Sequence, residues 1–295
     1  MIQEMKDGFY PALGTPTDEN SKLVKDSFSK QIEMMIDADA KGVLCMGSMG
    51  KMISIRDCEY PAIAKQCVDI VSKRVPVMMG VMDCSVDRII DRIDALDNCV
   101  VDGVVATVPY YFKLNMNEII NFFRLLAKRS KYPVYIYDLP SVTQAPVSFV
   151  MMQELIKEPN IIGIKTANMN LILEMKRNNC QREGFSVLYS GLDLFDVALN
   201  SGIKKNLDGM FTCTPVNSKK MYENMGTGTF DTHAKYLNNI IKLRNILVKG
   251  NIFSAYSYAM GLLGCPGNYQ SDYDVPISEG LKEEICQFMK EMGEL

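Results

Sequence analysis

Eight short apolar runs recur along this chain, spaced by about 22 to 33 residues, the length of one strand plus a crossover helix. They are Phe9–Leu13, Gly42–Met46, Val75–Met79, Gly103–Thr107, Val134–Tyr137, Ile161–Ile164, Phe185–Tyr189 and Leu207–Phe211. The runs are continuously apolar and do not alternate with polar residues, which fits strands buried on both faces, as in a parallel sheet. Between them lie segments with apolar residues at helical spacing. Val24–Ala38 carries Phe28, Ile32, Met35 and Ile36, and Ser85–Asn98 carries Val86, Ile89, Ile90, Ile93 and Leu96. Asn117–Ala127 and Ser148–Ile156 behave alike. Eight strand–helix units are the count of a (β/α)8 TIM barrel. A doubly wound open sheet is the alternative, but it usually places a glycine-rich phosphate loop after its first strand, and Ala12-Leu-Gly-Thr-Pro16 is not one. Past Ser218 helix follows helix without a strand: Phe230–Val248, Ile252–Leu263 and Pro276–Met292. The predicted architecture is an α/β chain, a (β/α)8 TIM barrel over 1–225 with a three-helix C-terminal extension, 226–295, packed on it.

Composition narrows the chemistry. A length of 295 residues is enough for one large domain with a sizeable core. The formal net charge of −3, with no basic cluster, argues against a nucleic-acid footprint. There is no long apolar stretch of membrane-spanning length and the amino terminus is polar, so a soluble, cytoplasmic protein with no membrane partner is expected. Nine cysteines are scattered without a C-x-x-C, which reads as reduced thiols acting as small hydrophobes. The single histidine, His233, lies in a polar helix-like segment and reads as a surface residue. One histidine removes H-E-x-x-H and multi-histidine metal sites, and no nucleophile elbow serves it in a Ser-His-Asp triad. No metal is expected, and acid–base work falls to Lys, Tyr, Ser or carboxylates.

In a barrel of this kind, active sites sit at the carboxyl ends of the strands. The sixth run ends in Lys165-Thr166, and the fifth, Tyr132-Pro-Val-Tyr-Ile-Tyr137-Asp-Leu-Pro140, ends in a tyrosine. A lysine at an apolar mouth can lose its proton, because desolvation disfavours the ammonium, and the free amine attacks carbonyl carbon. A nearby phenol moves the protons that imine formation requires. The bland reading is a solvated lysine at a loop. The second run ends in Gly47-Ser48-Met49-Gly50-Lys51, a turn that exposes consecutive backbone N–H groups and suits a carboxylate, or is simply a structural turn. The fourth run ends in Pro109-Tyr110-Tyr111 and the seventh in Ser190-Gly191-Leu192-Asp193.

The ordered set G-F-Y-P-A-L-x-T-P, G-S-x-G, P-Y-Y, Y-x-x-P and G-I-K, each at the end of an expected strand, resembles the N-acetylneuraminate lyase/dihydrodipicolinate synthase family of class I, pyruvate-dependent aldolases. The resemblance runs from Gly8 to the last helices. It implies a lyase in which Lys165 forms the Schiff base with a 2-oxo acid and Tyr137 relays protons. Ser48 joins that relay, and the N–H groups of the turn Gly47, Ser48 and Met49 hold the carboxylate. Tyr111 resembles the tyrosine that enters the relay of an adjacent subunit, which implies a homo-oligomer, a tetramer or a dimer. No cofactor is implied beyond the imine itself, and the partner is a small 2-oxo acid such as pyruvate.

The chain departs from the family's pattern where the second substrate would bind. Met49 replaces a threonine, Lys51 an acid, and Asp138 stands where Asn is common. Val142 takes the position of the arginine with which dihydrodipicolinate synthases bind the aldehyde's carboxylate, and a neutral side chain cannot replace a bidentate guanidinium. Asp193 is kept, but Leu194 replaces the second acid of the sialic-acid lyases and offers no acceptor to a polyol. Thr166, Gly191, Asp193, Thr212 and Cys213 are the remaining candidates for the substrate pocket. The expected function is formation or cleavage of a C–C bond between pyruvate and an aldehyde. The alternatives are dihydrodipicolinate synthase or N-acetylneuraminate lyase proper, a 2-keto-3-deoxy sugar acid aldolase or dehydratase, and a barrel that binds a 2-oxo acid without turning it over.

Overall fold

The structure is a computed structural model of the chain and describes residues 3–223 and 229–295. The boundary expected at 225/226 falls outside the described residues. Among those residues, eight parallel strands form one sheet in the order β1-β8-β7-β6-β5-β4-β3-β2. They are β1 (Gly8–Pro11), β2 (Val43–Cys45), β3 (Val77–Gly80), β4 (Gly103–Ala106), β5 (Val134–Asp138), β6 (Ile161–Thr166), β7 (Ser186–Tyr189) and β8 (Lys205–Asp208). A parallel bridge between Ala12 and Leu44 joins the two ends of the order and closes a (β/α)8 barrel.

Each of the eight apolar runs overlaps a strand, but the last does so only in part. β8 stops at Asp208, whose Oδ1 accepts the Met210 N–H at 2.8 Å, and Met210–Cys213 coils into a 3-10 turn. Helices α1 (Lys25–Asp37), α2 (Tyr60–Val71), α3 (Val86–Asp94) and α4 (Met116–Arg129) follow the first four strands. A single turn α5 (Pro140–Thr143), then α6 (Phe149–Leu155), α7 (Met169–Arg177), α8 (Phe195–Asn200) and α9 (Pro215–Glu223), complete the ring. Their starts are fixed locally: Ser85 caps α3, Asn115 and Glu118 form a capping box on α4, and Ser148 caps α6.

Strand parity divides the apolar residues in two. Tyr10, Leu44, Met78, Val105, Tyr135, Tyr137, Leu188 and Leu207 fill the barrel interior, while Phe9, Val43, Val104, Ile136 and Ile164 face the helices. Tyr135 is one of the bulky inward residues of the barrel, and glycine makes room for it. A Cβ on Gly163 would lie 2.4 Å from the Tyr135 ring and 2.6 Å from the Ser186 carbonyl oxygen. Gly163→Ala is therefore expected to destabilise the fold by about 1–3 kcal/mol through overpacking. A urea midpoint equal to that of the wild type would contradict this.

The C-terminal helices α10 (Phe230–Leu247), α11 (Ile252–Leu262) and α12 (Glu279–Glu291) share the outer core with the barrel, through Leu237, Ile240, Leu243, Tyr256, Met260, Ile285 and Met289. His233 is not a surface residue. It is 3 % exposed, because it lies one helical turn before Leu237 and two before Ile240, on the buried face of α10. No helix among the described residues is long and apolar enough to cross a membrane, and no cluster of three or more His, Cys, Asp or Glu is arranged to hold a metal.

Candidate active site at the carboxyl ends of the strands

Lys165 and Tyr137 meet because β5 and β6 slip in register. Val134 pairs with Ile161, but Tyr135 pairs with Gly163, and from there Tyr137 stands beside Lys165 and Asp138 beside Thr166. An unshifted ladder would set Tyr137 beside Ile164 and turn the lysine to the other face. As built, both side chains point into the barrel mouth and are 6 % exposed. The Lys165 Nζ lies 3.6 Å from the centroid of the Tyr137 ring, a cation–π contact. Ser48 Oγ approaches the Tyr137 hydroxyl at 3.4 Å, a long contact of the kind that tightens once substrate is bound.

The turn that carries Ser48 is held from three sides. Met46 takes a left-handed conformation, φ 53°, to reverse the chain after β2. β3 passes directly beneath: a Cβ on Gly80 would fall 1.8 Å from the Met46 carbonyl oxygen, so only glycine fits there. Thr15 Oγ1 donates to the Gly50 carbonyl at 2.8 Å. The carbonyls of Gly47 and Ser48 accept from Met52 and Lys51, while the N–H groups of Ser48, Met49 and Gly50 have no protein acceptor among the described residues. That leaves consecutive donors for an anion. Lys51 bolts the turn to the 264–275 loop, its ammonium donating to the carbonyls of Asn268, at 3.4 Å, and Gln270. Burial lowers its pKa to about 8, against the opposing pull of Asp274 and Asp272.

These groups open onto a cavity of about 570 Å³ lined by Ser48, Met49, Tyr137, Lys165, Gly191 and Asp193, together with residues that the sequence did not single out. Three of those come from the C-terminal helices: Arg244 of α10, and Ile252 and Phe253 of α11. Arg244 grips Asp193 bidentately, at 2.8 and 2.7 Å, and its Nε and Nη2 also donate to Asn245 Oδ1. No local motif marks Arg244 among the cations of its helix, and its partner lies 51 positions away. The hydrogen bond from Arg244 holds the Asp193 carboxyl below its ordinary range, with burial opposing. A carboxylate lowered in the folded state stabilises above its unfolded pKa and loses that contribution as pH falls through the folded value. Asp193 is largely exposed and Arg244 partly so, and with solvent screening the expected stability difference between wild type and Asp193→Asn is under about 1 kcal/mol. It should be present near about pH 6 and absent near about pH 2 in denaturant titrations; a difference independent of pH would contradict the assignment.

Other expected residues stand elsewhere. Thr166 is fully buried behind the cavity. Its hydroxyl donates to Asp138 Oδ2 at 2.7 Å and accepts from the Asn168 N–H at 2.9 Å, so it ties the ends of β5 and β6 together. Asp138 also accepts the Val147 N–H at 3.0 Å. Burial raises its carboxyl, with the Val147 N–H, the Thr166 hydroxyl and Lys165 opposing. Thr212 and Cys213 are not in the cavity wall: the Thr212 hydroxyl meets the Gly209 carbonyl at 2.6 Å and the Tyr256 hydroxyl at 2.5 Å, because the 3-10 turn after β8 faces α11. Gly47 lies behind its turn, against the Leu44 side chain. Val142 lines a neighbouring apolar cavity of about 220 Å³ that shares Ser48, Leu139 and Phe253 with the first. Tyr111 is 79 % exposed, edge-on to Phe112, and does not reach Lys165 of its own chain.

Comparison with known proteins bears on the family and the fold. The family model described as the dihydrodipicolinate synthetase family matches residues 5–292. The 4-hydroxy-tetrahydrodipicolinate synthase of Bartonella bacilliformis is 27 % identical over 301 residues, covering 98 % of this chain and 99 % of that protein. Among solved structures, the dihydrodipicolinate synthase of Thermotoga maritima superposes with a TM-score of 0.89 at 19 % identity, covering 99 % of this chain and 100 % of the other. YagE, a prophage protein of E. coli K12 solved in complex with pyruvate, gives 0.87 at 23 %, covering 97 % and 98 %. At these identities the solved structures speak for the fold alone, and the family model, spanning nearly the whole chain, decides the rest: the chain belongs to the dihydrodipicolinate synthetase family, a family of aldolase-type lyases that condense pyruvate.

Proposed function

We propose that the protein is a Schiff-base lyase that makes or breaks a C–C bond between pyruvate and an aldehyde, with Lys165 as nucleophile. The observation that carries this reading is the buried Lys165 amine against the Tyr137 ring, with Ser48 in reach of the phenol and unpaired N–H groups in the adjoining turn. The turn binds the pyruvate carboxylate. The Lys165 amine adds to C2, and the carbinolamine loses water to give a protonated imine. Tyr137, coupled to Ser48, takes and returns the protons of these steps. Loss of a proton from C3 then moves an electron pair into an enamine. Its C3 attacks the aldehyde carbon, the carbonyl oxygen is protonated, and water hydrolyses the new imine to release the hydroxylated 2-oxo acid and the free amine.

Tyr111 takes part across a subunit boundary in this reading: its exposed phenol belongs to the relay of a second copy. The reading does not extend to the 4-hydroxy-tetrahydrodipicolinate synthase reaction for which the relatives are named, since Val142 offers no charge to a carboxylated aldehyde. Enamine formation is tested without any aldehyde. Pyruvate in D2O should lose its methyl proton resonance in the presence of the protein and keep it with Lys165→Ala; retention of the signal with the wild type would refute the Schiff-base assignment.

A further inference from the structure

The cavity is far larger than pyruvate needs. At about 570 Å³ it falls in the range of sites that enclose drug-sized ligands, whereas about 150 Å³ suffices for a benzene ring. Away from the Ser48 turn, the apolar part of the wall is formed by Leu139, Leu192, Met210, Ile252 and Phe253. Phe253 is fixed in the first turn of α11, where Asn251 Oδ1 accepts the N–H groups of Phe253 and Ser254 and Asn251 Nδ2 donates to Asp274 at 2.9 Å.

Every charged side chain in this wall other than Lys165 already has a partner inside the protein. Asp138 is bonded to Thr166 and Val147, Asp208 accepts from Met210, and Arg244 is divided between Asp193 and Asn245. Within this cavity a carboxylated aldehyde would have to break the bidentate Arg244–Asp193 pair to find a cation other than Lys165. A polyhydroxylated one would lay many of its hydroxyls against the hydrocarbon of Leu139, Leu192, Met210, Ile252 and Phe253.

We propose that the second substrate is an uncharged aldehyde with an aromatic or branched hydrocarbon body, seated between Phe253 and Leu139, with the Arg244–Asp193 pair acting as a neutral closed clamp at the rim. This rests on the Schiff-base reading above. With benzaldehyde as the probe, the enamine C3 attacks the aldehyde carbon, the C=O electron pair moves to oxygen and takes a proton, and hydrolysis releases 2-oxo-4-hydroxy-4-phenylbutanoate and free Lys165.

The test compares kcat/KM for condensation of pyruvate with benzaldehyde, glyceraldehyde and succinic semialdehyde, alongside pyruvate methyl exchange in D2O. Benzaldehyde is expected to exceed both polar aldehydes by at least about tenfold, and Phe253→Ser to raise the benzaldehyde KM by about tenfold with a smaller change in kcat. An equal or higher kcat/KM for either polar aldehyde overturns the proposal, as does an unchanged benzaldehyde KM in Phe253→Ser. Methyl exchange without any benzaldehyde product sinks the proposal and leaves the Schiff-base reading standing. Absence of exchange sinks both.

Discussion

Lys165→Ala is expected to lower condensation of pyruvate with its aldehyde by at least about 10⁴-fold while leaving the fold intact. No other side chain in the cavity replaces the amine. The remaining nucleophiles there are hydroxyls, and the nearest phenol, Tyr137, forms no imine. Loss of the side chain removes one cation–π contact and no hydrogen bond between secondary-structure elements, so thermal unfolding should shift little. Steady-state rates together with a melting curve check both halves. A folded variant that retains the wild-type rate would remove Lys165 from the chemistry.

The second large effect is expected from Tyr137→Phe. This change deletes a single oxygen. The ring remains against Lys165 and within the barrel core, so packing is kept while the proton route from the imine to Ser48 is cut. Turnover should fall by about 10²–10⁴-fold, the range for loss of one positioned acid–base group, and methyl exchange should slow in parallel. A drop of less than about threefold in both would mean that protons travel by another group. Ser48→Ala should show a smaller loss in the same direction, since the 3.4 Å contact makes Ser48 a relay to Tyr137 and not the group that meets the imine.

The strands and the place of Lys165 at a strand end were legible because both rest on short-range pattern. A continuous apolar run must be buried on both faces, and a lysine that closes such a run must stand at the end of a strand. Pairing across strands was less legible. That Tyr137 faces Lys165 depends on a one-residue slip between β5 and β6, which no local sequence announces. Thr212 reads as a strand-end residue only if β8 continues through it. The Asp208–Met210 hydrogen bond ends the strand earlier and turns the threonine toward Tyr256. His233 sits in a segment rich in polar residues, yet its phase with Leu237 and Ile240 buries it, and phase outweighs average polarity. Arg244 and Phe253 were hidden for a different reason. They belong to helices that look like packing from their own sequence, and they reach the cavity only because those helices lie along the barrel rim.

The contribution of the C-terminal helices changes how the departures at Val142 and Leu194 are understood. In the sequence they are losses of an arginine and an acid. In the structure Val142 lines the smaller neighbouring cavity and Leu194 stands exposed beside Asp193, while the larger cavity's only guanidinium, among the described residues, is already paired and most of its exposed lining is hydrocarbon. On the proposal made above, the pocket is not a damaged polar site but one of different polarity.

Reduction of the protein with borohydride in the presence of pyruvate, followed by intact mass and peptide mapping, tests the central claim most directly. Condensation with loss of water and addition of two hydrogens should raise the mass by about 72 Da per chain and place the modification on Lys165. No adduct, or an adduct on another lysine that persists in Lys165→Ala, would contradict it.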